Sequence, residues 1–88
     1  MKYLLFTYPN CERCGKIKAY LNDHSFDWEE YNLVNKESKM KIRNYLRDVK
    51  RDKDGAIIIP VLIIQENNSV KSVVNSVEEL ETWLKSKE

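Results

Sequence analysis

The run Ala56 to Gln65, "AIIIPVLIIQ", constrains the fold more than any other part of this 88-residue chain. Its β-branched residues suit a buried, pleated strand. It is too short to cross a membrane as a helix, and it contains a proline. Proline has no N–H to give to a sheet ladder, so Pro60 does not belong in the middle of a central strand. The conflict disappears if the buried strand begins at Pro60 and the residues before it form an extended approach. Ile59 is then held out of the helical region by the proline that follows it. The sequence leaves the Ile59–Pro60 bond open between trans and cis.

The rest of the chain falls into elements around that strand. Tyr3 to Thr7 ("YLLFT") reads as a short buried strand, broken by Pro9 and Asn10. A helix follows over Glu12 to Asn22, with Cys14, Ile17 and Leu21 on one face and Tyr20 beside them. "NDHS" makes a turn that includes His24, which is given no other role. Asp27 to Leu33 reads as a second strand. Asn35 to Lys50 is predicted as one helix, with Ile42, Tyr45, Leu46 and Val49 at i, i+3, i+4 and i+7. "ENNS" is a hairpin turn, and Val70 to Val74 is the return strand. Ser76 and Glu79 fit a capping box that opens a last helix, carried by Val77, Leu80 and Leu84 to the C-terminus. The order β-α-β-α-β-β-α predicts one α/β domain over residues 1–88: a four-stranded mixed sheet with helices on both faces.

Charge narrows the partners. The formal net charge is +1, so no whole-protein field points to nucleic acid or to a membrane surface. Residues 36–54 hold eight Lys/Arg and four Asp/Glu, a net of +4, which leaves −3 for the remainder. This reads first as a solvated helix face and second as a surface for an acidic partner. "MKYLLFTYP" has too short an apolar stretch for a signal peptide, and no small-residue cleavage site follows. A cytoplasmic protein is therefore expected.

Both cysteines of the chain, Cys11 and Cys14, stand three apart in "TYPNCERCGKI", where the first strand hands over to the first helix. Structural disulfides are rare in the cytosol, so a reactive or metal-bound pair is the better reading there. Zinc needs four ligands, and the chain offers one histidine and no further cysteine. Disulfide exchange needs a thiolate, and a free thiol at about pKa 8.5 is mostly protonated at neutral pH. A helix N-terminus favours the anion through its unpaired N–H groups. Arg13, Lys16 and Lys18 add positive charge, which Glu12 opposes. Cys11 at the helix start would attack a substrate disulfide, and the inward-facing Cys14 would resolve the mixed disulfide. Gly15, directly after Cys14, has no evident physical reason.

A CxxC at a strand-to-helix junction, a proline-led apolar strand downstream, a hairpin and a final helix together resemble the glutaredoxins, the short form of the thioredoxin fold. The resemblance covers essentially the whole chain. It implies a thiol–disulfide oxidoreductase serving electron transport and redox homeostasis, with Cys11 and Cys14 catalytic and no metal. It also implies a cis Pro60 beside the cysteines, and an Ile59 whose backbone meets an extended thiol substrate. Substrates would be disulfide-containing proteins or glutathione. No tightly bound cofactor is implied, with glutathione or thioredoxin reductase as electron donor, and the protein is expected to be a monomer.

The chain departs from the family pattern at three places. Glutaredoxins usually carry a lysine three residues before the first cysteine, and here that position is Tyr8. They usually have an aromatic residue inside the CxxC, and here the pair is Glu12-Arg13. They usually place a Gly-Gly pair, then Ser or Cys with Asp, before the last helix, where glutathione's γ-glutamyl carboxylate binds. Here the stretch is "VVNSVEEL", with Asn75 and Ser76 in roughly that place and the acid moved to Glu78 or Glu79. Tyr8, Ile59, Pro60, Asn75 and Ser76 are therefore the expected substrate-binding residues. Two other readings remain open. One is a non-catalytic binding module whose basic second helix, with Lys39, Lys41 and Arg43, meets an acidic partner. The other is a dimer bridged by an iron–sulfur cluster.

Overall fold

The computed structural model describes residues 1–86, and the end of the predicted last helix lies partly outside them. Four strands form one sheet in the order β2-β1-β3-β4. They are β1 (Lys2–Thr7), β2 (Trp28–Asn32), β3 (Val61–Glu66) and β4 (Ser69–Val74). β1 runs parallel to β2, Tyr3 opposite Trp28, and antiparallel to β3, Leu5 opposite Leu62. β3 and β4 form an antiparallel hairpin with a register shift at Ile64/Gln65. The mixed sheet and the element order are those expected. Asn67 and Asn68 both take positive φ, 53° and 65°, as a two-residue hairpin turn requires.

Alternation along the strands divides the core in two. Tyr3, Leu5, Leu62 and Ile64 face α1 (Glu12–Asp23) and α3 (Val77–Lys85), where they meet Ile17, Leu21 and Leu80. Leu4, Phe6, Val61 and Ile63 face the other way, against Leu33, Ile42, Tyr45 and Val49. β1 and β3 are thus covered on both faces, and Val61 through Ile64 are fully buried. β3 begins at Val61, directly after Pro60, so the proline stands at the entrance of the strand as its chemistry demands.

The second helix differs from expectation. α2 covers only Lys36–Ile42 and passes into a 3₁₀ turn over Arg43–Tyr45, with irregular turns beyond. In 3₁₀ geometry residues i and i+3 align. Tyr45 therefore stays buried beneath Ile42, while Leu46, expected on the inner face, is turned out and 41% exposed. The Tyr45 hydroxyl accepts a hydrogen bond from Gln65 Nε2 at 2.7 Å, which fixes the turn to the sheet. His24 caps the C-terminus of α1, its backbone N–H reaching Tyr20 O and its ring stacked on Tyr20. Among the described residues no helix is long and apolar enough to cross a membrane.

Candidate active site

The cysteines lie at the C-terminal end of β1. Asn10 takes a left-handed backbone (φ 58°) and turns the chain into α1. Cys11 is the N-cap of that helix, extended at φ −114° and ψ 106°, and its Sγ accepts the Cys14 backbone N–H at 3.1 Å. This is the cap position normally held by a hydroxyl or carboxylate oxygen. Cys11 and Cys14 are joined as a disulfide, with Cα atoms 5.2 Å apart. Cys14 is 2% exposed and packs inward, while Cys11 is partly exposed. A reagent from solvent therefore meets the Cys11 sulfur first. Gly15 continues a regular helix, and a Cβ there would meet open space, so no close approach requires it.

The turn is anchored from behind. Thr7 is buried and donates its hydroxyl to Glu30 Oε2 at 2.8 Å, and Lys18 of α1 bridges the same oxygen at 2.7 Å. β1, β2 and α1 are thus tied together just beneath the cysteine turn. Burial pushes the Glu30 carboxyl up, but hydrogen bonds from Lys18 and Thr7 and the charge of Lys18 together outweigh it. The pKa ends below its ordinary value. The resulting stabilisation is present above the unfolded carboxylate pKa and is lost as pH falls through the lowered folded value. It is small, because both charged side chains stay about a third exposed.

Tyr8, Cys11, Arg13 and Ile59 line one open cleft of about 590 Å³. Tyr8 is 46% exposed at its edge. The Ile59–Pro60 bond is cis, and Pro60 is buried under the cleft. Among the described residues no hydrogen bond reaches the backbone N–H or C=O of Ile59. Tyr8, Ile59 and Cys11 are therefore brought together.

Asn75 and Ser76 do not line this cleft. Asn75 is 4% exposed, and its Nδ2 donates to Ile58 O at 2.8 Å and to Pro60 O at 2.9 Å. It acts as a clamp around the cis bond and leaves Ile59 free between its two anchor points. Its Oδ1 is buried without a hydrogen-bond partner. Ser76 is the N-cap of α3, its Oγ accepting the Glu79 N–H at 3.1 Å. Glu79 returns a hydrogen bond from Asn75 N–H at 3.2 Å, one residue earlier than a standard capping box. It also pairs with Lys50. Residues 72–76 carry no sequence signal for the Asn75 clamp, since its partners lie fifteen and seventeen positions away. Arg51 and Ile57 also border the site region, and periodicity did not single them out.

Residues 4–68 match the Glutaredoxin family, a span that holds the CxxC and Pro60 but stops short of Asn75 and Ser76. The solved structure of the thioredoxin-like protein BC3987 superimposes with a TM-score of 0.63 at 20% identity, covering 91% of this chain and 96% of that one. Over 30 residues the chain is 47% identical to the global transcriptional regulator Spx of Lactiplantibacillus plantarum. That match covers 34% of this chain and only 23% of the regulator. The family match spans most of the chain and holds the CxxC and Pro60, and the chain belongs to the glutaredoxin family.

Proposed function

We propose that the chain reduces disulfides of proteins or small molecules by dithiol exchange. The observation that carries this reading is the unequal exposure of the cysteines at the α1 N-terminus, opposite the free backbone of Ile59. In the reduced protein the Cys11 sulfur occupies a cap where N–H groups favour its anion. The Cys11 thiolate attacks one sulfur of the substrate disulfide, forming a mixed disulfide and releasing one substrate thiolate, which takes a proton. Cys14, deprotonated, attacks the Cys11 sulfur and releases the second substrate thiol. The substrate gains two electrons and two protons, and the protein is left as the Cys11–Cys14 disulfide. A dithiol donor, or two equivalents of glutathione, must return the electrons.

Support for glutathione as that donor is weaker. The β4–α3 turn lacks glycines, its serine is engaged as a cap, and Glu79 already occupies the Asn75 N–H. Reduction of the oxidised protein by glutathione, coupled to glutathione reductase and followed as NADPH loss, is the test, with thioredoxin reductase run in parallel. Turnover with either donor is the expected result and names the donor. Failure of both would move the assignment to a binding module on the same scaffold.

A further inference from the structure

Behind the cis-proline loop the hydrogen bonds close into a circuit. Lys50 Nζ pairs with Glu79 Oε2 in the first turn of α3. The other oxygen of that carboxylate, Oε1, accepts the Asn75 backbone N–H at 3.2 Å. The Asn75 side chain donates to Ile58 O at 2.8 Å. The Ile58 N–H returns to Lys50 O at 3.0 Å. Its members come from separate segments: the turns after the 3₁₀ stretch, the approach to Pro60 and the start of α3. Neither Lys50 nor Glu79 lines the cysteine cleft; both border a separate groove with Val74 and Thr82.

As an ion pair, Lys50 and Glu79 add little stability, since their side chains are 49% and 39% exposed. The value of the pair is geometric. A carboxylate with one oxygen on an ammonium and the other on a backbone N–H cannot rotate without losing one of them. Glu79 is thereby held against Asn75. The Asn75 side chain spans Ile58 O and Pro60 O through Nδ2, and its Oδ1 has no partner among the described residues. Ile59 lies between those two carbonyls, and among the described residues no hydrogen bond reaches its own N–H or C=O. Its orientation in the cleft is therefore set from either side by the circuit, and by no hydrogen bond of its own.

We infer that Lys50 and Glu79 are positioning residues for disulfide exchange: acting through Asn75, they fix the orientation of the Ile59 backbone in the cleft. The inference rests on the oxidoreductase reading for its kinetic consequence and not for the geometry. Without the Lys50 ammonium, the Glu79 carboxylate turns toward solvent. The Asn75 N–H then loses its acceptor part of the time, and Ile59 samples more than one orientation. The fold persists, because the sheet pairing and both halves of the core are untouched. The cysteine turn persists as well, because Thr7, Glu30 and Lys18 anchor it separately. The fault is therefore confined to substrates that use the Ile59 backbone.

The test has two independent readouts on the whole chain. The first needs no turnover: NMR of the oxidised protein carrying Lys50→Met. Shifted and broadened backbone resonances at Ile58, Ile59 and Asn75 are expected, with Leu5, Ile17 and Leu80 unchanged. Unchanged Ile59 resonances overturn the inference, whether or not the protein reduces anything. The second is single-turnover reaction of the reduced protein with a peptide disulfide and with bis(2-hydroxyethyl) disulfide, which has no peptide backbone. Lys50→Met should raise the half-saturating peptide concentration about fivefold at an unchanged limiting rate, and shift the small disulfide by less than about twofold. The urea midpoint should hold, and Lys50→Arg, which keeps the charge, should restore the peptide value. Equal slowing of both disulfides, or a lowered urea midpoint with unchanged peptide saturation, would make the pair merely structural and overturn the inference. If the parent protein reduces neither disulfide, the oxidoreductase reading fails, and the NMR comparison alone decides the positioning.

Discussion

Two helix N-termini adjoin the cis-proline loop, and both are capped in the same way. At α1 the Cys11 sulfur accepts the N–H three residues on, and at α3 the Ser76 hydroxyl does the same, each at 3.1 Å. The difference is in the atom and in what else competes for the helix end. At α3 the helix end is already engaged: Glu79 folds back to the Asn75 N–H and pairs with Lys50. At α1 the cap faces an open cleft, and its sulfur is the partly exposed member of a pair whose other half is buried. One geometry thus closes a helix end in one place and, on the proposed exchange chemistry, presents the reacting atom in the other. The capping hydrogen bond holds the helix in both cases; only a sulfur open to solvent gives it chemistry.

The most severe way to break that contrast is to make the reactive cap resemble the structural one. Cys11→Ser keeps a capping side chain, so circular dichroism of the reduced variant should match that of the reduced parent. Disulfide reduction should fall by at least about a thousandfold, as expected when a nucleophile is removed. Retained turnover would mean that Cys11 is not the attacking sulfur. A middle-sized effect is expected between the two helix ends, at the Asn75 clamp. Asn75→Ala leaves the buried Pro60 carbonyl and the half-buried Ile58 carbonyl without a donor and should destabilise by about 1–3 kcal/mol in urea unfolding. It should also raise KM for a peptide disulfide while the alkylation rate of reduced Cys11 holds steady. An unchanged urea midpoint would mean that the sheet alone holds the loop. The smallest effect belongs to the α3 cap: Ser76→Ala should cost about 1 kcal/mol, the ordinary loss for a capping hydroxyl. A loss near zero would show that Glu79 satisfies the helix end without it.

Much of this was legible along the chain because it rests on local chemistry. Pro60 lacks a donor, so it marked the start of β3. The spacing of Cys14, Ile17 and Leu21 marked the inner face of α1, and all three are buried. Ser76 and Glu79 marked the start of α3. Where a stretch was read by periodicity alone, the expectation was weaker. The i, i+4 pattern at Ile42 and Leu46 assumed an α-helix, and the tighter 3₁₀ turn exposed Leu46 while keeping Tyr45 inside. That choice was made by the fit of Tyr45 against Phe6 and by its hydrogen bond to Gln65, both distant in sequence.

By itself, then, the sequence determined the element order, the strand entrance at Pro60 and the position of a thiol at a helix start. Each follows from backbone donors, side-chain periodicity and turn chemistry within a few residues. Only the tertiary structure decided what the site is made of. It set the cis bond of Ile59, the clamp from Asn75 across the loop, the free backbone of Ile59, and the Lys50 and Glu79 pair behind it. These features join residues from separate elements, and their contacts exist only once the sheet has brought those elements to one end of β1.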